Sequence, residues 1–226
     1  MSRVPVIAID GPVGSGKGTI STSLAARLGW HFMDSGALYR LVAIAAIDSS
    51  VDSQDFPALA SIAENLDFEF RRVGEETIAL LSGKDVSYRL RTEVISAMAS
   101  KVAAVKVVRA AMIDRQRAFA QPPGLVADGR DMGTIIFPDA KLKIFLTASV
   151  KIRARRRYKQ LKDKGESVTL PRLFREIELR DERDMTREIA PLKPAKDAVI
   201  IDSTEFSIDQ VLDKIYEIAK ERFISY

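Results

Sequence analysis

The chain has 226 residues, enough for one sizeable domain or a core with appended pieces, and 35 Lys and Arg against 31 Asp and Glu give a net charge of +4. It has no cysteine, which excludes disulfides, thiol nucleophiles and cysteine-based metal sites, and its single histidine, His31, lies in an apolar run and is interpreted as structural. Any chemistry must therefore use carboxylates, lysine, arginine and the backbone. Met1-Ser2-Arg3 leads straight into the first apolar run and no run has membrane-spanning length, so we expect a cytoplasmic protein.

The first predicted elements are a strand, a glycine-rich turn and a helix. The apolar run Val6–Ile9 precedes Gly11-Pro12-Val13-Gly14-Ser15-Gly16-Lys17-Gly18-Thr19, and an amphipathic pattern from Ile20 to Leu28 follows it. Glycines let successive N–H groups curl around an anion, while the helix dipole and the lysine add positive charge. Such turns also occur as plain connections, but four glycines with a lysine at the helix junction favour a phosphate-binding loop.

One residue of this loop departs from the usual pattern. Phosphate-binding loops commonly place Ser or Thr directly after the lysine as a magnesium ligand. In this chain Gly18 stands at that position and Thr19 follows it.

Between the loop and residue 90, the sequence predicts a strand, a helix and a linker, followed by a small sheet. Gly29 is suited to end the first helix, Trp30–Met33 reads as a strand, and a helix runs from Asp34-Ser35-Gly36 to Ile47 with Ser35 as its N-cap. The polar segment 48–55 reads as a linker. From Leu66 to Ser87, alternating residues and two turns, at 73–76 and 82–85, indicate a small antiparallel insert (about residues 64–90).

The remaining elements alternate between helices and buried strands. Two helical patterns follow Arg91-Thr92-Glu93 and end before Pro122-Pro123-Gly124. The later predictions are strands at 125–127, 142–146 and 198–201 and helices at about 150–164, 170–183 and 208–223. Five short apolar strands separated by helices predict an α/β fold whose parallel sheet is covered on both faces.

Charged residues follow several of the predicted strands. Because ligands bind beyond the carboxyl ends of parallel strands, we expect Gly11–Thr19, Asp34-Ser35, Asp128–Asp131 and Asp202 to surround one cleft. Asp128 at the end of an apolar strand is placed to hold magnesium directly or through water. The alternative is a carboxylate that caps a backbone turn.

The segment Lys151–Lys164 is strongly basic, with Lys or Arg at eight of its fourteen positions. Three consecutive arginines, 155–157, point around much of a helix and cannot all serve one site, so part of the charge is expected to be solvated. A nucleic-acid surface is a second interpretation, although aromatic residues are sparse. The third is a mobile lid that binds a polyphosphate through arginine forks. The position after the fourth strand, with Arg180, Asp184 and Arg187 further along, favours the lid.

These motifs carry a family resemblance. The glycine after the loop lysine is typical of nucleoside monophosphate kinases, and three further motifs resemble bacterial-type cytidylate kinases in particular. They are Asp34-Ser35-Gly36-Ala37-Leu38-Tyr39-Arg40, Ala127-Asp128-Gly129-Arg130-Asp131-Met132-Gly133 and Arg180-Asp181-Glu182-Arg183-Asp184. The resemblance covers nearly the whole chain in order.

The resemblance implies a P-loop kinase with a five-stranded parallel sheet of order 2-3-1-4-5. It divides the chain into a core (1–33, 119–150, 188–226), a monophosphate-binding region with the β insert (34–118) and a helical lid (151–187). It also implies ATP and Mg²⁺ as cofactors, CMP and dCMP as substrates, and a monomer without nucleic-acid or membrane partners.

The resemblance further suggests roles by position. Loop residues 11–19 with Arg157 are expected to bind ATP, and Lys17, Asp128, Arg130 and Arg187 to act in catalysis, with Thr19 and Asp128 near the metal. The acceptor phosphate is assigned to Arg40, Arg130 and Arg187, the cytosine to Ser100, Arg109 and Asp131, and the sugar to Arg180 and Asp184. Ser35 and Tyr39 complete the expected substrate-binding set, and Asp34 is expected to order either Arg40 or a water.

The hydrogen-bonding groups of cytosine independently support the assignment of the base. Cytosine offers an amino donor beside two acceptors, which a carboxylate at Asp131 and a guanidinium at Arg109 complement. Uracil would set an oxygen against the carboxylate. The simpler alternative is that Asp131 only positions Arg130 or another arginine. Two rival functions remain at this stage: a P-loop kinase for another small acceptor, and a nucleotide-dependent RNA-binding protein.

Overall fold

The computed structural model describes residues 4–73, 76–163 and 165–223. The chain divides into two compact units, Met1–Met33 with Arg117–Tyr226, and Asp34–Gln116. Three sequence expectations lie outside the described residues: the course of Met1-Ser2-Arg3, the centre of the turn predicted at 73–76, and Lys164 at the end of a predicted helix.

The strands and helices follow one another in this order: β1 (Val6–Asp10), α1 (Lys17–Leu28), β2 (His31–Asp34), α2 (Ser35–Asp48), α3 (Phe56–Glu64), β3 (Phe68–Val73), β4 (Glu76–Leu81), β5 (Lys84–Asp85), α4 (Glu93–Val102), α5 (Lys106–Arg117), β6 (Leu125–Gly129), β7 (Leu142–Thr147), α6 (Val150–Asp163), α7 (Leu170–Thr186), β8 (Val199–Asp202) and α8 (Ile208–Phe223). A 3₁₀ turn at Arg89–Arg91 precedes α4, and a π-helical turn at Met132–Ile136 follows β6.

The larger sheet has five parallel strands in the order β2-β6-β1-β7-β8. Counted among the strands of this sheet alone, the order is 2-3-1-4-5, which confirms the prediction. Every residue of β1 and β6 is buried because helices cover both faces, and such strands are therefore apolar runs rather than alternating patterns.

The core of the first unit forms where α1 and α8 pack on this sheet. Ile20 and Leu24 of α1 and Val211 and Ile215 of α8 are buried against the strand side chains. Trp30 and Phe223 meet edge to face with ring centroids 5.1 Å apart. This packing holds the glycine-rich turn at the carboxyl edge of the sheet.

The second unit contains the small antiparallel sheet that the alternating residues predict. Its order is β3-β4-β5, and Phe68 of β3 pairs with Leu81 of β4. The helix α2 is apolar over most of its length, and Leu38, Leu41, Val42 and Ile44 are fully buried.

One prediction about this region is wrong, and one helix has no counterpart among the predictions. The N-cap of α2 is Asp34 rather than Ser35, because the Asp34 Oδ1 accepts the Ala37 N–H at 3.1 Å and the helix already includes Ser35. The helix α3 begins directly after the predicted linker and was not expected. Its signals are Asp55, whose Oδ1 accepts the Ala58 N–H at 3.1 Å, and Pro57 in the first turn.

No helix within the described part of the chain is long and apolar enough to cross a membrane.

Candidate active site

The glycine-rich turn joins β1 to α1 in a conformation that requires its glycines. A Cβ at Gly11 would lie 2.0 Å from the Leu146 carbonyl oxygen, so no side chain fits there. Gly16 has φ 94° and is the N-cap of α1, a left-handed conformation that glycine adopts without steric cost. The close contact with β7 and the sharp turn into α1 together explain the glycine pattern.

The N-terminus of α1 is arranged to receive an anion. Its cap has no side-chain acceptor and its first turn has no acidic residue, so the free N–H groups and the positive helix pole are not neutralised locally. Lys17 is buried, with its Nζ 3.3 Å from the Pro12 carbonyl and 3.9 Å from the Asp128 Oδ1. The Ser15 hydroxyl is buried and has no hydrogen-bond partner among the described residues. This surplus of donors is what a phosphate group requires.

Asp10, the last residue of β1, is a buried carboxylate that the sequence reasoning did not select. Its two oxygens accept the backbone N–H groups of Met132 and Gly133, each at 2.8 Å. Burial raises its pKa to about 7, the negative charges of Asp131 and Asp128 add to this rise, and the two backbone hydrogen bonds oppose it.

Arg153 connects the basic helix α6 to the glycine-rich loop. This side chain is 3% exposed and donates to the Val13 carbonyl at 3.1 Å and to the Ala148 carbonyl at 2.9 Å. It also forms a buried ion pair with Asp181 of α7. Arg153 therefore connects the loop to both helices of the predicted lid.

Arg156, one turn further along α6, binds the same loop. It donates to the Ser15 carbonyl at 3.2 Å, to the Ser203 hydroxyl at 3.0 Å and to the Ser203 carbonyl at 2.7 Å. Partial burial lowers its pKa, and the charge of Asp202 opposes that change. The neighbouring Arg155 is exposed, which agrees with the expectation that consecutive arginines cannot share one site.

A cavity of about 430 Å³ opens beside the loop and α6. Arg156 and the predicted ATP-binding Arg157 line it, and the Arg157 guanidinium donates to the Gln160 Oε1 at 2.9 Å. The apolar part of its wall consists of Val13, Ile20, Phe206, Ile208 and Val211. Its volume and its mixture of apolar wall and guanidinium groups suit a planar heterocycle. Local sequence signals did not reveal residues 203–211 as part of a site.

The predicted acceptor residues of the first unit form one cluster of charges. The Arg130 Nε donates to the Asp184 Oδ2 at 2.9 Å, and the Arg187 guanidinium lies 3.8 Å from the Asp131 Oδ1. Burial raises the pKa of Asp184, but Arg130, with the charges of Arg180 and Arg187, lowers it overall. The structure thus brings two distant segments together, because Arg130 is 54 residues from Asp184 in the sequence.

The predicted residues of the second unit lie on α2, α4 and α5. The Arg40 guanidinium is 3.5 Å from the Asp34 Oδ2, so of the two alternatives for Asp34 the structure shows contact with Arg40. The Arg109 guanidinium lies 5.7 Å from the centroid of the Tyr39 ring and donates to the Ala103 carbonyl at 3.1 Å. Both Tyr39 and Arg109 are buried.

Two further predicted residues lie on these helices. Ser35 is buried at the start of α2, and Ser100 is partly buried on α4.

The candidate magnesium ligands are consistent with an ion held mainly by nucleotide phosphates and water. Among residues 4–73, 76–163 and 165–223, no group of three or more acidic or histidine side chains is placed to hold a metal. A Cβ at Gly18 would lie 3.5 Å from the Asp128 Oδ2, so this carboxylate stands beside position 18 and Lys17. Thr19 is exposed and lines the cavity. A single carboxylate near a phosphate site fits magnesium, which commonly keeps several waters.

Comparison with known proteins identifies relatives over nearly the whole chain. A family model described as "Cytidylate kinase" matches residues 7–221. A cytidylate kinase from Stutzerimonas stutzeri is 56% identical over 97% of this chain and 96% of the relative, and one from Pseudomonas fluorescens is 58% identical over 94% of each. An uncharacterized protein from Eubacterium ventriosum has a similar fold, with a TM-score of 0.53 and 13% identity over 97% of this chain and 100% of that one.

The raised pKa of Asp10 predicts a pH dependence of stability. The folded state binds a proton at Asp10 with a pKa of about 7, above the usual 3.8, so this group stabilises the fold most below pH 4. That contribution is lost as the pH rises to 7 and amounts to at most about 4 kcal/mol.

The comparison of the chain with its Asp10→Asn variant isolates this effect, because asparagine does not titrate. Urea unfolding at several pH values measures the free energy of unfolding of both proteins. From pH 4 to pH 7, this free energy should rise for the variant relative to the parent. A constant difference across this range would contradict the prediction.

Proposed function

The chain belongs to the cytidylate kinase family, and on that basis we propose that it transfers the γ-phosphoryl group of ATP to CMP or dCMP, giving CDP or dCDP and ADP. The observation that carries this proposal is the joint presence, at the carboxyl edge of one sheet, of an anion-binding helix N-terminus and a cluster of paired arginines. A phosphoryl donor and a phosphorylated acceptor each require one of these features.

The donor nucleotide is assigned to the glycine-rich loop and the adjoining cavity. The loop amides and Lys17 hold the β- and γ-phosphates, and the base occupies the cavity beside Arg156 and Phe206. Arg157 contributes a guanidinium at the same cavity. This assignment is supported by the exposed helix pole, by the burial of Lys17 and by the unpartnered hydroxyl of Ser15.

The acceptor monophosphate is assigned to Arg40, Arg130 and Arg187. Guanidinium forks bind phosphate through two hydrogen bonds and keep their charge at any physiological pH. Arg130 and Arg187 each have a carboxylate neighbour, which orients them before a substrate arrives. The sugar is assigned to Arg180 and Asp184.

The cytosine is assigned to Asp131, Arg109 and Ser100. Asp131 accepts a hydrogen bond from the C4 amino group, and Arg109 donates to N3 and O2. Ser35 and Tyr39 are assigned to the same substrate. The contact of Asp131 with Arg187 is compatible with this role because a carboxylate has four acceptor positions.

The transfer itself requires positioning and charge neutralisation. An oxygen of the acceptor phosphate forms a bond to the γ-phosphorus while the bond to the ADP oxygen breaks, and since that oxygen is already negative no general base is required. Lys17 neutralises charge on the donor phosphates, and Arg130 and Arg187 do so on the acceptor. Asp128 and Thr19 would hold magnesium through water, and the ion would supply charge neutralisation at the donor phosphates.

The helices α6 and α7, residues 151–187, are assigned to a lid that excludes water from the transferring group. We further propose that the protein works in the cytoplasm as a monomer, with CMP and dCMP rather than nucleic acid or a membrane as its partners. All residues assigned to either substrate belong to one chain.

Removal of the loop lysine should slow the transfer. We expect Lys17→Ala to lose about 3 kcal/mol of transition-state stabilisation, because one preorganised charge at the phosphates is lost. This corresponds to a fall in kcat/KM of more than a hundredfold. Steady-state ADP release measures this, with Lys214→Ala, an exposed lysine of α8, as the control that should behave like the parent. Near-normal turnover of Lys17→Ala would remove the loop from the mechanism.

Asp131 should control the choice of base. The amide that Asp131→Asn introduces can donate to the oxygen of uracil as well as accept from the amino group of cytosine. We therefore expect the ratio of kcat/KM values for CMP and UMP to fall at least tenfold. The matched control is Asp197→Asn, which changes an exposed carboxylate paired with Lys143. An unchanged ratio in Asp131→Asn would show that the carboxylate only positions an arginine.

Two adjacent arginines of α6 should differ in their effect on the donor. Arg156→Ala removes a group that lines the cavity and supports the loop, so we expect the KM for ATP to rise about tenfold, the loss expected of one charge-assisted hydrogen bond. Arg155→Ala changes an exposed side chain and should leave it within about twofold. Equal effects of both substitutions, measured with ATP varied at saturating CMP, would contradict the placement of the donor.

A further inference from the structure

The π-helical turn Met132–Ile136 obtains its cap from another strand. Its N-cap residue is Asp131, a residue type that commonly folds back to accept the first free N–H groups of its own helix. Asp131 does not do so in this structure. The N–H groups of Met132 and Gly133 instead bind the carboxylate of Asp10, at 2.8 Å each.

Because Asp10 caps this turn, the Asp131 side chain makes its contacts elsewhere. The N–H of Gly133, one of the two donors that an N-cap side chain normally accepts from, is bonded to Asp10, and the Asp131 Oδ1 lies 3.8 Å from the Arg187 guanidinium. Asp131 is itself buried. Its carboxylate is therefore held at the carboxyl edge of β6 rather than folded onto the turn that follows.

Asp10 also defines where this turn lies relative to the glycine-rich loop. It directly precedes Gly11, and in the sheet its backbone is in register with Gly129 of β6. The same residue thus contacts the start of the loop through the main chain and the segment after Asp131 through its side chain. A shift of either segment would break two charge-assisted hydrogen bonds.

The position is an unfavourable one for a carboxylate. Asp10 is 3% exposed, and the charged groups that face it, Asp131 and Asp128, are both negative. Stability alone favours a neutral residue there, because a buried anion without a cationic partner is costly. Groups held in such environments occur often at functional sites.

We propose that Asp10 is a positioning residue for the acceptor: by capping Met132 and Gly133 it holds Asp131 in the orientation that binds the acceptor nucleotide. The proposal rests on the proposed function in so far as Asp131 contacts CMP. Asp10 acts through Asp131 and touches neither substrate.

A double-mutant cycle on Asp10→Ala and Asp131→Ala tests the proposal. If Asp10 acts through Asp131, the Asp10→Ala substitution alone should raise the KM for CMP at least tenfold, and in an Asp131→Ala background it should add less than about twofold. The KM for ATP should change less than about twofold in Asp10→Ala. Independent, multiplicative effects of the two substitutions on the KM for CMP would overturn the proposal.

Two further variants separate positioning from general stability. Asp10→Asn retains one acceptor oxygen for the two N–H groups, so its KM for CMP should lie between those of the parent and Asp10→Ala. Ala219→Gly lowers the stability of α8, away from this turn, and serves as the control. All variants are assayed at one temperature, which lies below the unfolding midpoint of each. An equal rise in the KM for CMP in Ala219→Gly would overturn the proposal.

The same cycle separates this proposal from the cytosine assignment. Coupled effects on the KM for CMP, together with an unchanged CMP-to-UMP ratio in Asp131→Asn, would support the positioning role of Asp10 and reject the base contact. Uncoupled effects with a changed ratio would do the reverse.

Discussion

Charge balance at the carboxyl edge of the parallel sheet is the constraint on which the rest of this structure depends. Four buried carboxylates lie at this edge, and each has a cationic side chain or backbone N–H groups beside it. The pairs are Asp10 with two backbone N–H groups, Asp128 with Lys17, Asp131 with Arg187, and Asp184 with Arg130. These contacts orient Arg130 and Arg187, while the first turn of α1 carries no acidic residue of its own and has Asp128 beside it.

The helix α6 connects this edge to the donor side. Arg153 and Arg156 both donate to carbonyl oxygens of the glycine-rich loop, which frees the loop N–H groups to point at an anion. Arg153 also pairs with Asp181 on α7, the helix that carries Arg180 and Asp184. In the basic segment that resembled a nucleic-acid surface in the sequence, Arg153 and Arg156 therefore bind the loop and Arg157 lines the cavity. The exposed Lys and Arg side chains among its described residues are Lys151, Arg155, Lys159 and Lys162.

The sequence predicted those parts of the molecule that depend on neighbouring residues. The loop, the buried strands and the helices after residue 90 have local signals in glycine spacing and apolar period, and the α/β class that these signals predict is confirmed. The strand order is confirmed as well, but it was implied by the family resemblance rather than by local patterns. The short helix α3 was missed because its apolar residues, such as Leu59 and Ala63, span only two turns. The cap of α2 was misassigned by one position, since Asp34 and Ser35 are both good caps.

The contacts that organise the site have no local signal. Asp10 binds a segment 122 residues away, and the Ser203 hydroxyl binds the loop across 188 residues. Such pairs arise because the sheet brings segments that are distant in the chain to one edge, and no pattern of neighbouring residues marks which side chains meet there. The proposed function is tested most directly by ADP release from ATP by the purified protein with CMP, dCMP, UMP and shikimate as separate acceptors. We expect turnover with CMP and dCMP and at least a thousandfold lower kcat/KM with UMP, roughly the discrimination of a matched polar site. Equal turnover of UMP, or ADP release with shikimate alone, would contradict it.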